Sequence, residues 1–246
     1  VSNKFSIVDD DTDQVLGFCK AVEVVQQEMR NDEKCYSLLT LHSFTLSEVC
    51  RVMPKIIFSN FYLNFLSKDG TSLGGYYFSP DQMVKINPLE LSEETPITIG
   101  GYFGEEPLPL ANKVWDQLRE NPNAYGQWKK LEEKRAWLQI VRLRRLMDDT
   151  MRKDQVVRID GKYIQDEVTL YLALGEAVNG PFGYYGANLD SLSDCLSGGF
   201  GLVPPFTLEW TDFHYSFKSK PENHARCISL LFQILTSRGC KILLTD

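Results

Sequence analysis

Histidine is scarce and cysteine is scattered. The 246 residues include three histidines, at 42, 214 and 224, and six cysteines, at 19, 35, 50, 195, 227 and 240, with no Cys-x-x-Cys pair. A zinc site is not expected, because four such ligands at close spacing are needed to hold the metal. The chain also lacks GxxxxGK[ST], GxGxxG and HExxH, so phosphate-loop, dinucleotide and metalloprotease chemistry have no signature. Gly198, Gly199 and Gly201 come after a short helical pattern rather than before one, which is the wrong order for a phosphate cradle. No apolar run reaches the roughly 18 residues of a spanning helix, and no basic start with an apolar centre marks a leader. The expectation is a cytoplasmic protein with reduced thiols, no cofactor and no membrane partner.

Charge of one sign is also missing from long stretches. Lys and Arg total 26 against 33 Asp and Glu, a formal net charge of −7, which disfavours general attraction to nucleic acid or an anionic membrane. Between Val156 and His214 the acids Asp160, Asp166, Glu167, Glu176, Asp190, Asp194, Glu209 and Asp212 face only Arg158 and Lys162, a local balance of −6. A basic partner is the natural complement. From Gln127 to Lys153 nine bases against Glu132, Glu133, Asp148 and Asp149 give +5. That stretch could hold RNA, solvate the outer face of a helix, or dock against the acidic segment. Trp115, Trp128 and Trp137 read as packing residues rather than a base-stacking platform.

A chain of this length, 43% hydrophobic, can build two cores. The first hundred residues read as short strands separated by turns. Phe5 to Val8 and Val15 to Phe18 flank the acidic Asp9-Asp10-Asp11-Thr12-Asp13, a hairpin turn that lacks the glycine and distal glutamate of a calcium loop. Ile56 to Leu66, the turn Ser67-Lys68-Asp69-Gly70 and Gly74 to Phe78 read as a second hairpin. After Pro107 and Pro109 the pattern becomes helical: Ala111 to Glu120, a break at Asn121-Pro122-Asn123, then one long segment from about Tyr125 to Met151 with Trp128, Leu131, Leu138, Ile140, Val141 and Met147 as apolar contacts. Beyond it, strands at Val156 to Ile159, Phe206 to Trp210 and Lys241 to Leu244 alternate with helices near Glu167 to Ala177 and Glu222 to Arg238, the pattern of a small parallel sheet with helices packed on it. The expected organisation is a strand-rich α+β domain over 1–108, a helical connector over 109–153 and an α/β domain over 154–246.

The densest signal is Gly183-Tyr184-Tyr185-Gly186-Ala187-Asn188-Leu189-Asp190-Ser191-Leu192-Ser193-Asp194-Cys195-Leu196-Ser197-Gly198. If Asn188 caps a helix, steps of about 100° per residue put Leu189, Leu192 and Leu196 on one face and Asp190 with Asp194 on the opposite flank, beside Ser193 and Ser197. On spacing alone Asp190 serves the helix dipole and Asp194 is ordinary surface charge. An acid and base pair is the catalytic alternative, but no third group, pocket or metal ligand accompanies it.

This run resembles the central motif of the barstar family, intracellular inhibitors of the ribonuclease barnase. Val156-Val157-Arg158-Ile159-Asp160-Gly161, Leu208-Glu209-Trp210 and Gly239-Cys240 followed by Ile242-Leu243-Leu244 are similar to the family's first strand, middle strand and closing strand, so the likeness covers roughly residues 155 to 246. The resemblance implies a small parallel sheet with helices, no catalysis, and an acidic helix and loop that fill the basic active site of a ribonuclease toxin. It places Tyr184, Tyr185, Gly186, Asn188, Leu189, Asp190, Ser193 and Asp194 at or near the toxin contact, with Asp194 entering the phosphate site. Cys195 and Cys240 match the family's two cysteines, as small apolar residues. Ser193 stands where the family has a tryptophan, the loop from Gly198 to Pro205 is about two residues longer, and Ile234 replaces an acidic contact, so a nuclease other than barnase is the expected partner. The rival reading is a regulatory or RNA-associated protein that uses this unit for docking. An enzyme site in the first domain is a third.

Overall fold

The computed structural model describes residues 3–27, 35–130, 132, 134–144, 148–218 and 221–246. It divides into two compact units, one of residues 1–108 with 115–120, the other of 109–114 with 121–246. Among the described residues no helix is long and apolar enough to cross a membrane.

The first unit is strand-rich. Its strands are β1 Phe5–Asp9, β2 Val15–Cys19, β3 Ala21–Gln27, β4 Tyr36–His42, β5 Thr45–Leu46, β6 Ile56–Phe58, β7 Phe61–Leu66, β8 Ser72–Pro80, β9 Val84–Ile86 and β10 Ile97–Phe103, with a short helix α1 Glu48–Arg51; of the helix α2 Ala111–Glu120, residues 115–120 belong to this unit. Eight strands form one antiparallel sheet in the order β3-β4-β10-β8-β7-β1-β2-β5, while β6 and β9 pair separately. Both expected hairpins are present as β1–β2 and β7–β8. The second begins later than its apolar pattern indicated, because Ser59 and Asn60 leave the strand. The Ser59 hydroxyl donates to Asp9, and the Asn60 carbonyl accepts from the Asp10 amide at 3.0 Å. Asp9 also accepts from the Thr12 amide and hydroxyl, so the acidic turn is tied by its own hydrogen bonds. The core is aromatic: Phe44, Phe58, Phe61, Phe78 and Phe103 touch in sequence, and Trp115 lies flat on Phe65 with ring centroids 4.4 Å apart. Packing of this kind is worth about 0.5–1.5 kcal/mol per pair beyond area burial.

The second unit is α/β. It contains α3 Lys134–Leu143, β11 Asp148–Arg152, β12 Val156–Asp160, α4 Glu167–Asn179, α5 Leu189–Cys195, β13 Phe200–Leu202, β14 Thr207–Thr211, α6 Pro221–Ser237 and β15 Lys241–Leu244. Strands β12, β14 and β15 form the expected parallel sheet in that order. Val157 and Ile159 on β12, and Leu208 and Trp210 on β14, point inward, with α4 buried along most of its length. Asp166 starts α4 through a reciprocal cap with Thr169.

The long helix expected from Tyr125 to Met151 is corrected. Gln127–Lys130 is a 3-10 turn, α3 spans ten residues, and Asp148–Arg152 is a strand paired in parallel with β13. Gly126 turns with φ 67°, and backbone bonds from Val203 N to Arg152 O (3.0 Å) and from Asp154 N to Pro205 O (2.8 Å) hold the strand, so tertiary pairing overrides a polar segment's helical pattern. Leu131, Glu133, Arg145 and Met147 of that segment lie outside the described residues.

The basic stretch docks on its own unit. Glu176 on α4 accepts from the Gly126 amide (2.7 Å) and Trp128 Nε1 (3.2 Å), and Trp137 stacks on Phe182 at 4.5 Å. Trp115, Trp128 and Trp137 are all buried, which leaves none of them free to stack on a base.

Candidate protein-binding site

The loop before α5 is fixed by close backbone approach. Gly186 has φ 96° and lies against Leu192, where an added Cβ would sit 2.9 Å from Leu192 Cα. Gly175 in α4 lets the loop rest on the helix, since a Cβ there would meet the Gly183 carbonyl at 2.3 Å. Asn179 Nδ2 donates to the carbonyls of Tyr184 (2.8 Å) and Phe200 (3.1 Å), tying the loop to β13. Each of these contacts removes freedom from the segment that presents the helix.

Helix α5 begins as the pattern requires. The Asn188 side chain accepts from Ser191 N at 2.8 Å, and the Ser191 hydroxyl accepts from the Asn188 amide at 3.0 Å. Such a cap is worth about 1 kcal/mol. Leu192, Cys195 and Leu196 are buried and Leu189 is half-buried, so the apolar face is inside. Burial pushes the Cys195 thiol up to about 12, with Asp194 adding to the shift, which leaves it a protonated packing group at neutral pH. Asp190 and Asp194 are exposed on the other side. The ion pairs and histidine–carboxylate contacts described in this unit join Arg158 to Glu209, Lys162 to Asp212, His214 to Asp246 and His224 to Glu167. Neither aspartate belongs to any of them. Among the described residues neither carboxylate has an ion-pair partner, and both are solvated.

The eight residues expected at the contact separate into two groups. Asn188, Asp190 and Asp194 are exposed, and Tyr184, Leu189 and Ser193 are partly so. Tyr185 and Gly186 are inside. Tyr185 is 1% exposed and its hydroxyl donates to the Leu202 carbonyl at 2.7 Å. Of the two consecutive tyrosines, Tyr185 serves the core and the half-buried Tyr184 the rim. Tyr184 packs edge-on to Phe200 at 6.0 Å, and burial raises its phenol pKa against an opposing hydrogen bond with Ser191. Sequence reasoning missed Arg238. Its guanidinium donates to the hydroxyls of Ser193 (2.7 Å) and Ser197 (3.1 Å) on the flank of α5.

A capped acidic helix behind a Tyr-Gly loop, on a three-stranded parallel sheet, is thus in place. Residues 154–239 match the family model of barstar, described as the barnase inhibitor. The C-terminal unit accordingly carries a barstar-type domain, of a family named for inhibition rather than catalysis. All eight expected contact residues lie inside the match. Strand β11, strand β15 and the whole first unit lie outside it. Among the described residues no group of three His, Cys, Asp or Glu side chains is placed to hold a metal.

Proposed function

We propose that this chain is a cytoplasmic immunity protein that binds a ribonuclease toxin and blocks its basic active site with α5 and the preceding loop. The observation that carries the reading is the exposed pair Asp190 and Asp194, presented on a capped helix with no ion-pair partner among the described residues, in a domain that matches the barstar model. A ribonuclease site must attract phosphates, so its cationic donors are met equally well by a fixed row of carboxylates that cannot be cleaved. Asp194 occupies the phosphate position, Asp190 supports it, and Tyr184, Asn188, Leu189 and Ser193 form the surrounding contact. Tyr185 and Gly186 hold the frame. The −6 balance of the segment from Val156 to His214 speeds encounter with a basic cleft, and salt slows it. An RNA-associated role has less support, because the tryptophans of the basic stretch are occupied in packing.

The test is inhibition of a ribonuclease that co-purifies with this chain from its native host. Asp194→Ala is expected to weaken inhibition by about 2–5 kcal/mol, the cost of removing one partner of a desolvated charge pair, with stability changed by less than about 0.5 kcal/mol because the group is exposed. Full protection by that variant would exclude α5 from the interface.

A further inference from the structure

The surface beside Asp190 and Asp194 changes sign within the width of one short helix. Ser193 and Ser197 flank the acidic pair, and both of their hydroxyls accept from Arg238, which follows α6. Two neutral acceptors hold that guanidinium without cancelling its charge, and Arg238 belongs to none of the ion pairs named above. It lines a shallow concavity of about 470 Å³ together with Lys153, Ser197, Met151 and Pro204. Lys153 is exposed and has no ion-pair partner among the described residues, and Met151 is 62% exposed. The hollow thus has two cations and apolar walls, and it is continuous with the acidic ridge through Ser197.

We infer that this concavity takes an aspartate or glutamate side chain of the same nuclease that α5 binds, so that the partner must carry an acid at the edge of its basic site. The inference rests on the proposed function. A partner basic throughout its site would meet Arg238 and Lys153 as like charges, and repulsion of that kind selects against wrong partners more strongly than it adds affinity for the right one. The chain would then discriminate among ribonucleases by a minus-plus register: carboxylates of α5 on the phosphate site, cations on an acid next to it. Part of the hollow comes from β11, outside the family match, which makes the register a property of this chain rather than of the matched domain.

The experiment uses the full chain and an inactivated form of the ribonuclease that co-purifies with it from its native host, with affinity measured for Lys153→Glu, Arg238→Gln and Asp194→Ala. Lys153 is exposed and makes no described bond, so its reversal tests charge without disturbing the fold; Arg238→Gln keeps a donor for the serines. Each of these two is expected to cost about tenfold, and a lysine in place of the nuclease's matching acid should weaken the wild-type complex while restoring binding to Lys153→Glu. Unchanged or tighter binding of both variants, with Asp194→Ala still weak, overturns the inference and leaves the inhibitory reading intact. Unchanged binding of all three overturns both. Weakening by Lys153→Glu alongside a silent Asp194→Ala would place the contact on the concavity and remove α5 from it.

Discussion

Replacing Tyr185 by phenylalanine removes one oxygen and tests whether this residue is frame or contact. Its hydroxyl makes a 2.7 Å bond to the Leu202 carbonyl, and both residues are buried. The lost bond is worth about 0.5–1.5 kcal/mol net, and the abandoned carbonyl, sealed from water, raises the cost toward the 1–3 kcal/mol of an unsatisfied buried acceptor. About 1–2 kcal/mol is the expected total, or roughly a 5- to 30-fold rise in local opening. Hydrogen exchange of the full chain, read in peptides spanning residues 185–202, measures that rise. Affinity for the nuclease should change far less than for Asp194→Ala, since the phenol does not reach the surface. Unchanged exchange together with a large loss of affinity would refute the assignment and return Tyr185 to the interface.

Three further outcomes follow from the same geometry. Asn188→Ala should destabilise the start of α5 by about 1 kcal/mol, seen as faster exchange of the Ser191 amide, because its acceptor is the Asn188 side chain. Burial pushes the Cys19 and Cys195 thiols up to about 12 from a usual value of 9.0. The folded protein therefore keeps protons that the unfolded chain releases, so stability is full below about pH 9 and falls as pH rises toward 12. Cys195→Ala should flatten that fall by up to about 1.4 kcal/mol per pH unit in urea midpoints taken from pH 7 to 11. None of the six cysteines is in a disulfide and all but Cys35 are buried, so a disulfide reagent added to the native chain should modify Cys35 first, and Cys35→Ser should abolish the fast phase.

Much of the C-terminal unit was legible because its signals are local. Asn188 caps where a polar residue precedes spaced leucines, and β12, β14 and β15 lie within a residue or so of their apolar runs. Helix α2 spans Ala111–Glu120 as read from the prolines before it and Pro122 after it. The segment Asp148–Arg152 was not legible as a strand: Asp-Asp-Thr-Met-Arg has no alternation of apolar side chains, and its pairing is set by β13, about fifty positions away. Arg238 was equally hidden, because the serines it binds lie 41 and 45 positions earlier in the chain. The one clue was its place immediately before Gly239-Cys240.

Spacing alone determined that two carboxylates share a flank of a short helix, since rotation per residue depends on nothing beyond the backbone. It also determined that the leucines opposite must be covered. Which neighbour does the covering, and which of two consecutive tyrosines turns inward, depended on where the Leu202 carbonyl and the α4 surface came to rest. Charge followed the same division. The acidic surplus could be counted along the chain, but whether a cation of the same unit lay close enough to cancel Asp190 and Asp194, or only beside them on the serines, was decided by the packing of α6 on α5, because Coulomb energy depends on distance in space and not on distance in sequence.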